Sequence, residues 1–418
     1  FVRSAPGDTR LFASATDPDS QNLTGSWRIL SSPSGADATL LSTDGYLARL
    51  QTQTTGTFEL LFQVTDGENY DREKVIVEIL DLGERRDRVK DISAYKNTCA
   101  ALENGEIRCW GPNSGSLGND VLDPADYPRT VQGFTDAVQV SVGELRTCAL
   151  HQGGLVSCWG SNSEGALGIS SDAISSTTPL TLPLNNISQV EMGNLFSCAL
   201  SQDGLVSCWG YGYAGQLGVG SKLATTQPVQ VQALENVIQI AAGRDHACAL
   251  TQDSRVLCWG EGNSGQIGYG SSIDRVLPGP VYLGENRPVF IDAQESYSCV
   301  VTESGKVLCW GFLPGGFSGA GGISNAYEAV MISGFSQVTQ ISAGKAHLCA
   351  INTEQELYCI GNNLSGQLGT GNFQGQSLPQ KVPLKEPVSR VAAGDEHTCS
   401  LLQSGRISCF GKLTQIGP

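Results

Sequence analysis

Fourteen cysteines form the most regular chemical pattern in the sequence. Seven of them recur at intervals of 49, 50, 50, 51, 50 and 50 residues, and each is followed ten residues later by a second cysteine. The spacing does not match the close Cys-x-x-Cys pairs of zinc sites, and no Cys-x-x-Cys-His haem motif occurs. We therefore favour seven disulfides, with seven reduced pairs as the alternative. The pairs are Cys99–Cys109, Cys148–Cys158, Cys198–Cys208, Cys248–Cys258, Cys299–Cys309, Cys349–Cys359 and Cys399–Cys409.

The ten-residue spacing fits a β-hairpin. Between Cys198 and Cys208, the residues 202–204 (Gln-Asp-Gly) predict a three-residue loop, a type I turn followed by a left-handed residue that suits glycine. Leu200 then faces Val206, and the two cysteines face each other. Directly opposed Cα atoms lie about 4.5–5.5 Å apart, within the range of about 4.4–6.8 Å that a disulfide spans. Persistent disulfides would indicate an oxidising compartment.

Three histidines stand two residues before a first cysteine, and at first sight they resemble a metal-binding set. The same position holds a different residue type in each of the other units, and it occurs once per repeat, so the side chains should be spread apart. We predict structural histidines that hydrogen-bond between neighbouring repeats. The seven residues at this position are Asn97, Arg146, Phe196, His246, Tyr297, His347 and His397.

The sequence lacks the common catalytic motifs. There is no Gly-x-Ser-x-Gly elbow, phosphate loop or dinucleotide fingerprint in a strand-to-helix context. We predict no catalytic residues, no resident cofactor and a protein that is not an enzyme.

Short strands must position these side chains. Each unit of about 50 residues contains brief apolar or alternating segments bounded by Gly, Asn, Ser or Asp, and no run of helical period competes with them. Four short strands per unit, repeated, are typical of β-propeller blades.

Two motifs resemble the regulator of chromosome condensation family. One is the Trp-Gly after the second cysteine, and the other is the Gln-Leu-Gly that follows it, as in Trp209-Gly210 and Gln216-Leu217-Gly218. The resemblance implies a seven-bladed β-propeller over residues 89–418. The family's nucleotide exchange on chromatin is not carried over, because a net charge of −15 opposes a nucleic-acid surface.

Two units depart from the repeat. The fifth has Gln294 in place of a glycine and a Gly-rich stretch at 314–322, which predicts a surface loop. The seventh lacks the Pro-Val segment of the others. We predict that its blade either borrows a strand from the stretch before Val89 or lacks its outer edge, which a neighbouring copy could supply.

The first 81 residues contain no cysteine and alternate in the manner of a β-sandwich. Asp17-Pro18-Asp19 and residues 64–68, with Trp27 between them, resemble Ig-like repeats of the polycystic-kidney-disease and cadherin type. The expected fold is all-β: an Ig-like sandwich at 1–81, a charged linker at 82–88 and the propeller. Asp17, Asp19, Asp66 and Glu68 are candidate Ca²⁺ ligands in two loops at one end, although we favour plain turns at these sequences.

Composition and motifs suggest an exported protein. The chain starts at Phe1 and contains no apolar run of about 18 residues that would insert into a membrane, so it is expected to be a mature or excised portion of a larger protein. We predict an extracellular or cell-surface location, in bacteria, with no nucleic-acid partner.

The leading function hypothesis is adhesion, or assembly of a surface structure or appendage, through propeller faces that bind a protein or glycan or self-associate. The alternative is a secreted binder or inhibitor of one soluble partner. An enzyme site in the central channel is least favoured, because the innermost strands are expected to present Val, Ile, Ala and Gly. Loop aromatics are the candidate binding residues: Tyr127, Tyr269, Phe312, Phe317 and Tyr327.

Overall fold

A computed structural model describes residues 2–4, 7–12, 24–42, 47–52, 54, 56–65, 70–79, 88–169, 173–313 and 325–412. The chain divides into two compact units, the first ending at Arg86 and the second starting at Asp87. No helix among the described residues is long and apolar enough to cross a membrane.

The described residues of the first unit form seven strands in two sheets. The sheets have the orders β1-β7-β6-β3 and β2-β5-β4, and only β1 pairs in parallel. Phe58, Leu60 and Leu50 are fully buried, and the Trp27 ring packs against Phe62 at 4.9 Å between centroids. Its assignment as an Ig-like sandwich stays a prediction. The strands are β1 (Val2–Ser4), β2 (Gly7–Phe12), β3 (Thr24–Ser31), β4 (Thr39–Ser42), β5 (Leu47–Thr52), β6 (Gly56–Thr65) and β7 (Tyr70–Ile79).

The second unit is a seven-bladed β-propeller. Each blade is an antiparallel sheet whose strands, called A to D from the centre outward, follow chain order. The first four blades are β8 (Val89–Ala94), β9 (Thr98–Leu102), β10 (Ile107–Gly111), β11 (Ala125–Val131); β12 (Ala137–Val142), β13 (Arg146–His151), β14 (Val156–Ser161), β15 (Ser175–Thr181); β16 (Ile187–Met192), β17 (Phe196–Ser201), β18 (Val206–Gly210), β19 (Thr225–Gln230); and β20 (Val237–Ala242), β21 (His246–Thr251), β22 (Val256–Gly260), β23 (Arg275–Pro280). A 3₁₀ turn, Ser163–Gly165, lies in the second blade.

The remaining three blades are β24 (Pro288–Gln294), β25 (Tyr297–Thr302), β26 (Val307–Phe312), β27 (Asn325–Met331); β28 (Val338–Ala343), β29 (His347–Asn352), β30 (Leu357–Gly361), β31 (Gln376–Lys381); and β32 (Val388–Ala393), β33 (His397–Leu402), β34 (Ile407–Gly411). Among the described residues the seventh blade has three strands, and residues 80–87, before Val89, which were one predicted source of a fourth strand, lie outside the described residues.

All seven predicted disulfides are present, one across strands B and C of every blade. The register is as predicted: Leu200 pairs with Val206 and Cys198 with Cys208. The opposed Cα atoms are 4.1 Å apart, closer than expected for unbridged strands. The third loop residue is left-handed in every hairpin, including Ser254 (φ 59°) and Gln355 (φ 60°), where glycine is replaced.

The family motifs form the seams between blades. The Leu-Gly or Ile-Gly turn of one blade packs on the aromatic side chain after the second cysteine of the next. The indole N–H donates to a turn carbonyl in three of these contacts, those of Trp159, Trp209 and Trp259, and Trp259 bonds the carbonyl of Gln216 at 2.8 Å. A Cβ atom at Gly218 would lie 2.9 Å from the Trp259 Nε1. Only glycine permits this approach, so both motifs belong to one interface.

Candidate functional site: the front face and the central channel

The meander of each blade places its loops on two faces. The A–B and C–D loops lie at one end of the strands, which we call the front face, and the B–C and D–A loops lie at the opposite end, the back face. The innermost strands enclose a central channel with a cavity of about 520 Å³.

The channel wall is polar, contrary to the expectation of Val, Ile, Ala and Gly. The side chains of strand A alternate: residues such as Val140 are buried between blades, whereas their neighbours Gln139 and Ser141 line the channel. Two rings of such positions circle the channel. One ring contains Asp91, Gln139, Gln189, Gln239, Phe290, Gln340 and Arg390, and the other contains Ser93, Ser141, Glu191, Asp292, Ser342 and Ala392, with Ala241 at the equivalent register position of the fourth blade.

Three glutamines of the first ring clamp neighbouring blades together. The Gln239 amide donates to the Ile291 carbonyl at 2.9 Å and accepts the Ile291 N–H at 3.1 Å. Gln189 makes the same pair of bonds with Ile240 at 2.8 and 2.9 Å, and Gln139 does so with the next blade at Val190. Gln340 does not, and its buried Oε1 has no hydrogen-bond partner.

Charged groups join the other blades. Arg390 Nε of the last blade lies 2.9 Å from Asp91 Oδ1 of the first, and Asp91 Oδ2 accepts the Val140 N–H at 2.8 Å. Asp292 Oδ2 accepts the Ala343 N–H at 2.8 Å. These bonds commit the aspartates to holding the ring closed.

Burial makes ionisation of the channel carboxylates unfavourable. It raises the pKa of Glu191 to about 7, partly offset by the hydrogen bond from the Gln189 amide. Burial also raises the pKa of Asp292 to about 6 and that of Asp91 above its ordinary value, although Arg390 opposes the latter. The channel therefore carries acids that change charge near neutral pH.

Tyr95 crosses the front mouth of the channel. It belongs to the first blade, but its hydroxyl donates to Glu295 of the fifth blade, which lies on the far side of the ring. Most other blades have glycine at this position. At Gly243 a Cβ atom would lie 2.1 Å from the His246 ring, whereas the first blade has the smaller Asn97 there, which leaves room for a tyrosine.

The three histidines are structural, as predicted. Nε2 of His246, His347 and His397 lies 2.7 Å from a hydroxyl of the following blade, at Ser298, Thr398 and Thr98 respectively. Burial lowers the pKa of His246 and His347 to about 3, so both are neutral at physiological pH.

Large apolar side chains recur on the C–D loops of the front face. They stand four to six residues after the Leu-Gly or Ile-Gly glycine and are 63–84 % exposed. Neighbouring loops touch: Lys222 Nζ bonds Asp274 Oδ2 at 2.7 Å, directly beside two of these residues. We call this set the apolar collar: Leu122, Ile174, Leu223, Ile273 and Phe373.

The predicted binding aromatics do not form one cluster. Tyr127 and Phe312 are exposed in blades one and five. Tyr269 is exposed beneath the Arg275 guanidinium, at 4.1 Å, and the adjacent Gly270 N–H bonds the Tyr327 carbonyl at 2.8 Å. Phe317 lies outside the described residues.

The candidate calcium ligands Asp17, Asp19, Asp66 and Glu68 also lie outside the described residues. Within the described ranges, no three His, Cys, Asp or Glu side chains are grouped closely enough to hold a metal ion.

Two sequence profiles of the Regulator of chromosome condensation (RCC1) repeat match the chain. One covers residues 137–166, 187–216, 237–266 and 338–367, and the other covers 203–250 and 354–401. The propeller therefore contains RCC1 repeats. No curated protein sequence matches this chain.

Two solved structures show the same fold. Human WBSCR16 is 22% identical with a TM-score of 0.69, and the match covers 81% of this chain and 89% of that one. Prp20p of Saccharomyces cerevisiae is 23% identical with a TM-score of 0.64, and the match covers 77% and 82%. At these identities the likeness shows the fold alone. The seven disulfides, in turn, indicate an oxidising, extracellular environment.

Proposed function

We propose that this is a non-enzymatic extracellular or cell-surface protein that acts in adhesion or in the assembly of a surface structure or appendage. The front face of the propeller is its binding surface, and the partner is a protein, including a further copy of this chain. Residues 1–81 add an Ig-like module of the kind that occurs on bacterial surfaces.

The apolar collar carries this proposal. Soluble proteins rarely leave large apolar side chains grouped on one surface unless it binds something. Here an exposed apolar side chain stands in the C–D loop of five blades, and the Lys222–Asp274 bond joins the loops that carry Leu223 and Ile273. Exposed apolar groups on a rigid scaffold dock with little loss of conformational entropy.

The channel supports a binding role more than a catalytic one. Tyr95 spans its front mouth, and the amides of Gln139, Gln189 and Gln239 are occupied by contacts between blades. Polar groups committed to holding the fold together are poorly placed to act on a substrate.

The test is a pair of front-face substitutions, Leu223→Ser with Ile273→Ser, against the back-face control Tyr282→Ser, whose side chain is 83% exposed. We expect the wild type and the control to self-associate in light scattering, or to bind the exporting cells in flow cytometry, and the double variant to lose that binding. Equal binding by all three proteins contradicts the proposal. A wild type that neither self-associates nor binds cells favours a secreted inhibitor of one soluble partner, steered by the acidic charge.

A further inference from the structure

In each of the other six blades a fourth strand, D, pairs with the outer side of strand C. The seventh blade's strand C, β34, has no such strand among the described residues. In blades two to six a buried residue just after strand D donates its N–H to a carbonyl two residues before the second cysteine, at 2.9 Å each time: Leu182 to Val156, Val231 to Val206, Val281 to Val256, Ile332 to Val307, and Val382 to Leu357. In the first blade Val131 pairs with Ile107. The seventh-blade counterpart of these acceptors is Ile407, which has no such partner among the described residues.

The burial of Ile407 differs in the same way. The six equivalent residues are at most 1% exposed, whereas Ile407 and the rest of β34 are only partly buried. The strand therefore presents a row of backbone groups and an apolar side chain that the other blades cover.

Blade six shows the same difference on the side that faces the seventh blade. In blades three and four, the N–H groups of Gly220 and Gly270 bond carbonyls in strand D of the following blade, at 2.9 and 2.8 Å. A Cβ atom at either glycine would contact that strand's side chains. At the equivalent Gly371 of blade six, a Cβ atom would meet none of the described residues within 4 Å.

A second glycine and an aromatic side chain mark the same gap. A Cβ atom at Gly215 or Gly265 would lie 2.9 or 2.8 Å from the Cα of a D-strand residue in the next blade. At the equivalent Gly366, the nearest atom is a ring carbon of Phe373 at 3.4 Å. Phe373 is 69% exposed and so forms an apolar wall beside the site.

The six filled sites specify what fits the seventh. Each carries a buried Val, Leu or Ile, and the residue three positions earlier is proline in five of them. The prolines are Pro128, Pro179, Pro228, Pro278 and Pro379, with Ala329 in the fifth blade. Proline suits an outermost strand because its missing N–H faces away from the sheet.

We propose that β34 accepts an extended peptide with the pattern Pro-x-x-Val/Leu/Ile, which adds antiparallel to it as a fourth strand of the seventh blade. The peptide's apolar residue packs over Ile407 and donates its N–H to the Ile407 carbonyl, while a peptide carbonyl accepts the Gly371 N–H. Main-chain bonds supply affinity, and the apolar residue supplies selectivity. The site is continuous with the ring of D strands around the other blades.

The direct test is fluorescence anisotropy of a labelled peptide copying residues 223–234, titrated with the folded, fully oxidised chain. The matched control peptide carries Val231→Asp. We expect the first peptide to bind and the control to bind at least about tenfold more weakly, because a carboxylate cannot be buried over Ile407. Equal binding of the two peptides, or no binding of either, overturns the proposal.

A second arm locates the site on the protein. Phe373→Ser changes an exposed side chain and should leave the fold intact, and it is expected to weaken peptide binding about threefold or more. Joining a copy of residues 223–234 through a flexible linker after Pro418 should abolish binding of the free peptide, since the strand is then supplied within the molecule. If the joined segment leaves binding of the free peptide unchanged, the peptide binds elsewhere and the assignment to β34 is wrong.

Discussion

At the scale of single residues, the buried Glu191 opposes the fold when it is ionised. Glu191 has a pKa of about 7 because burial disfavours its charged form. In the unfolded chain the pKa of Glu191 is about 4.3. Between about pH 4.3 and pH 7, therefore, Glu191 binds a proton in the folded protein and has lost it in the unfolded chain. Its contribution to stability is therefore full at acidic pH and is lost as pH rises toward 7.

Glu191→Gln should remove this loss. We expect the variant to be more stable than the wild type at pH 8, by about 3–4 kcal/mol, with the advantage disappearing by pH 4. The free energy of unfolding from denaturant titrations across this pH range measures it. Glu235→Gln, at an exposed position, is the control for a change of net charge. An advantage that does not vary with pH would mean that packing, not ionisation, is responsible.

Two glutamines at equivalent positions provide a matched test of the amide clamp. Gln239→Leu leaves the Ile291 N–H and carbonyl without their partners and should cost about 1–3 kcal/mol. Gln340→Leu removes a buried oxygen that bonds nothing and should be nearly neutral. Thermal unfolding of both variants compares them, and equal losses would show that the clamp adds no stability.

At the scale of strands and turns, the close packing of the Leu-Gly turn can be tested against a left-handed glycine in open surroundings, Gly371, two residues after the Leu-Gly turn of blade six. Gly218 and Gly371 are both left-handed, with φ of 68° and 78°. Alanine at Gly371 should cost about 1–2 kcal/mol for the conformation alone. At Gly218 the added Cβ also clashes with Val231 and Trp259, at 2.8 and 2.9 Å, so we expect a further loss of about 1–3 kcal/mol. Urea titrations measure both, and a Gly371→Ala variant as unstable as Gly218→Ala would contradict this account of the seam.

Much of the arrangement of strands and turns could be predicted from the sequence. The cysteine spacing predicts the hairpin register because a β-ladder has period two, which brings Cys198 opposite Cys208 once the turn is known. The channel could not be predicted in the same way. Gln139 and Ser141 alternate with Val140, and their direction depends on the twist and packing of whole blades. Tyr95 was missed too, since its contact with Glu295 joins residues 200 positions apart.

At the scale of the whole molecule, the ring is closed without a covalent link between its first and last blades. The closing seam contains the Arg390–Asp91 ion pair and the contact of His397 with Thr98, which joins residues 299 positions apart. The seam between blades four and five contains the equivalent contact of His246 with Ser298 at the same distance of 2.7 Å. The chain runs directly from blade four into blade five but not from blade seven into blade one, yet both seams contain the same histidine–hydroxyl contact.

This equivalence predicts how the ring unfolds. If the propeller unfolds as one closed unit, His397→Ala and His246→Ala should each lower the free energy of unfolding by about 2–4 kcal/mol and agree within about 0.5 kcal/mol, because every seam must form for the ring to exist. If the ring instead behaves as a linear array of repeats, its end blades fray separately. His397→Ala would then have a much smaller global effect, and hydrogen exchange would accelerate only in β8, β9 and β32–β34. Global stability measured together with exchange in these strands distinguishes the two, and we expect the closed unit because His397 and Thr98 are buried as completely as His246 and Ser298.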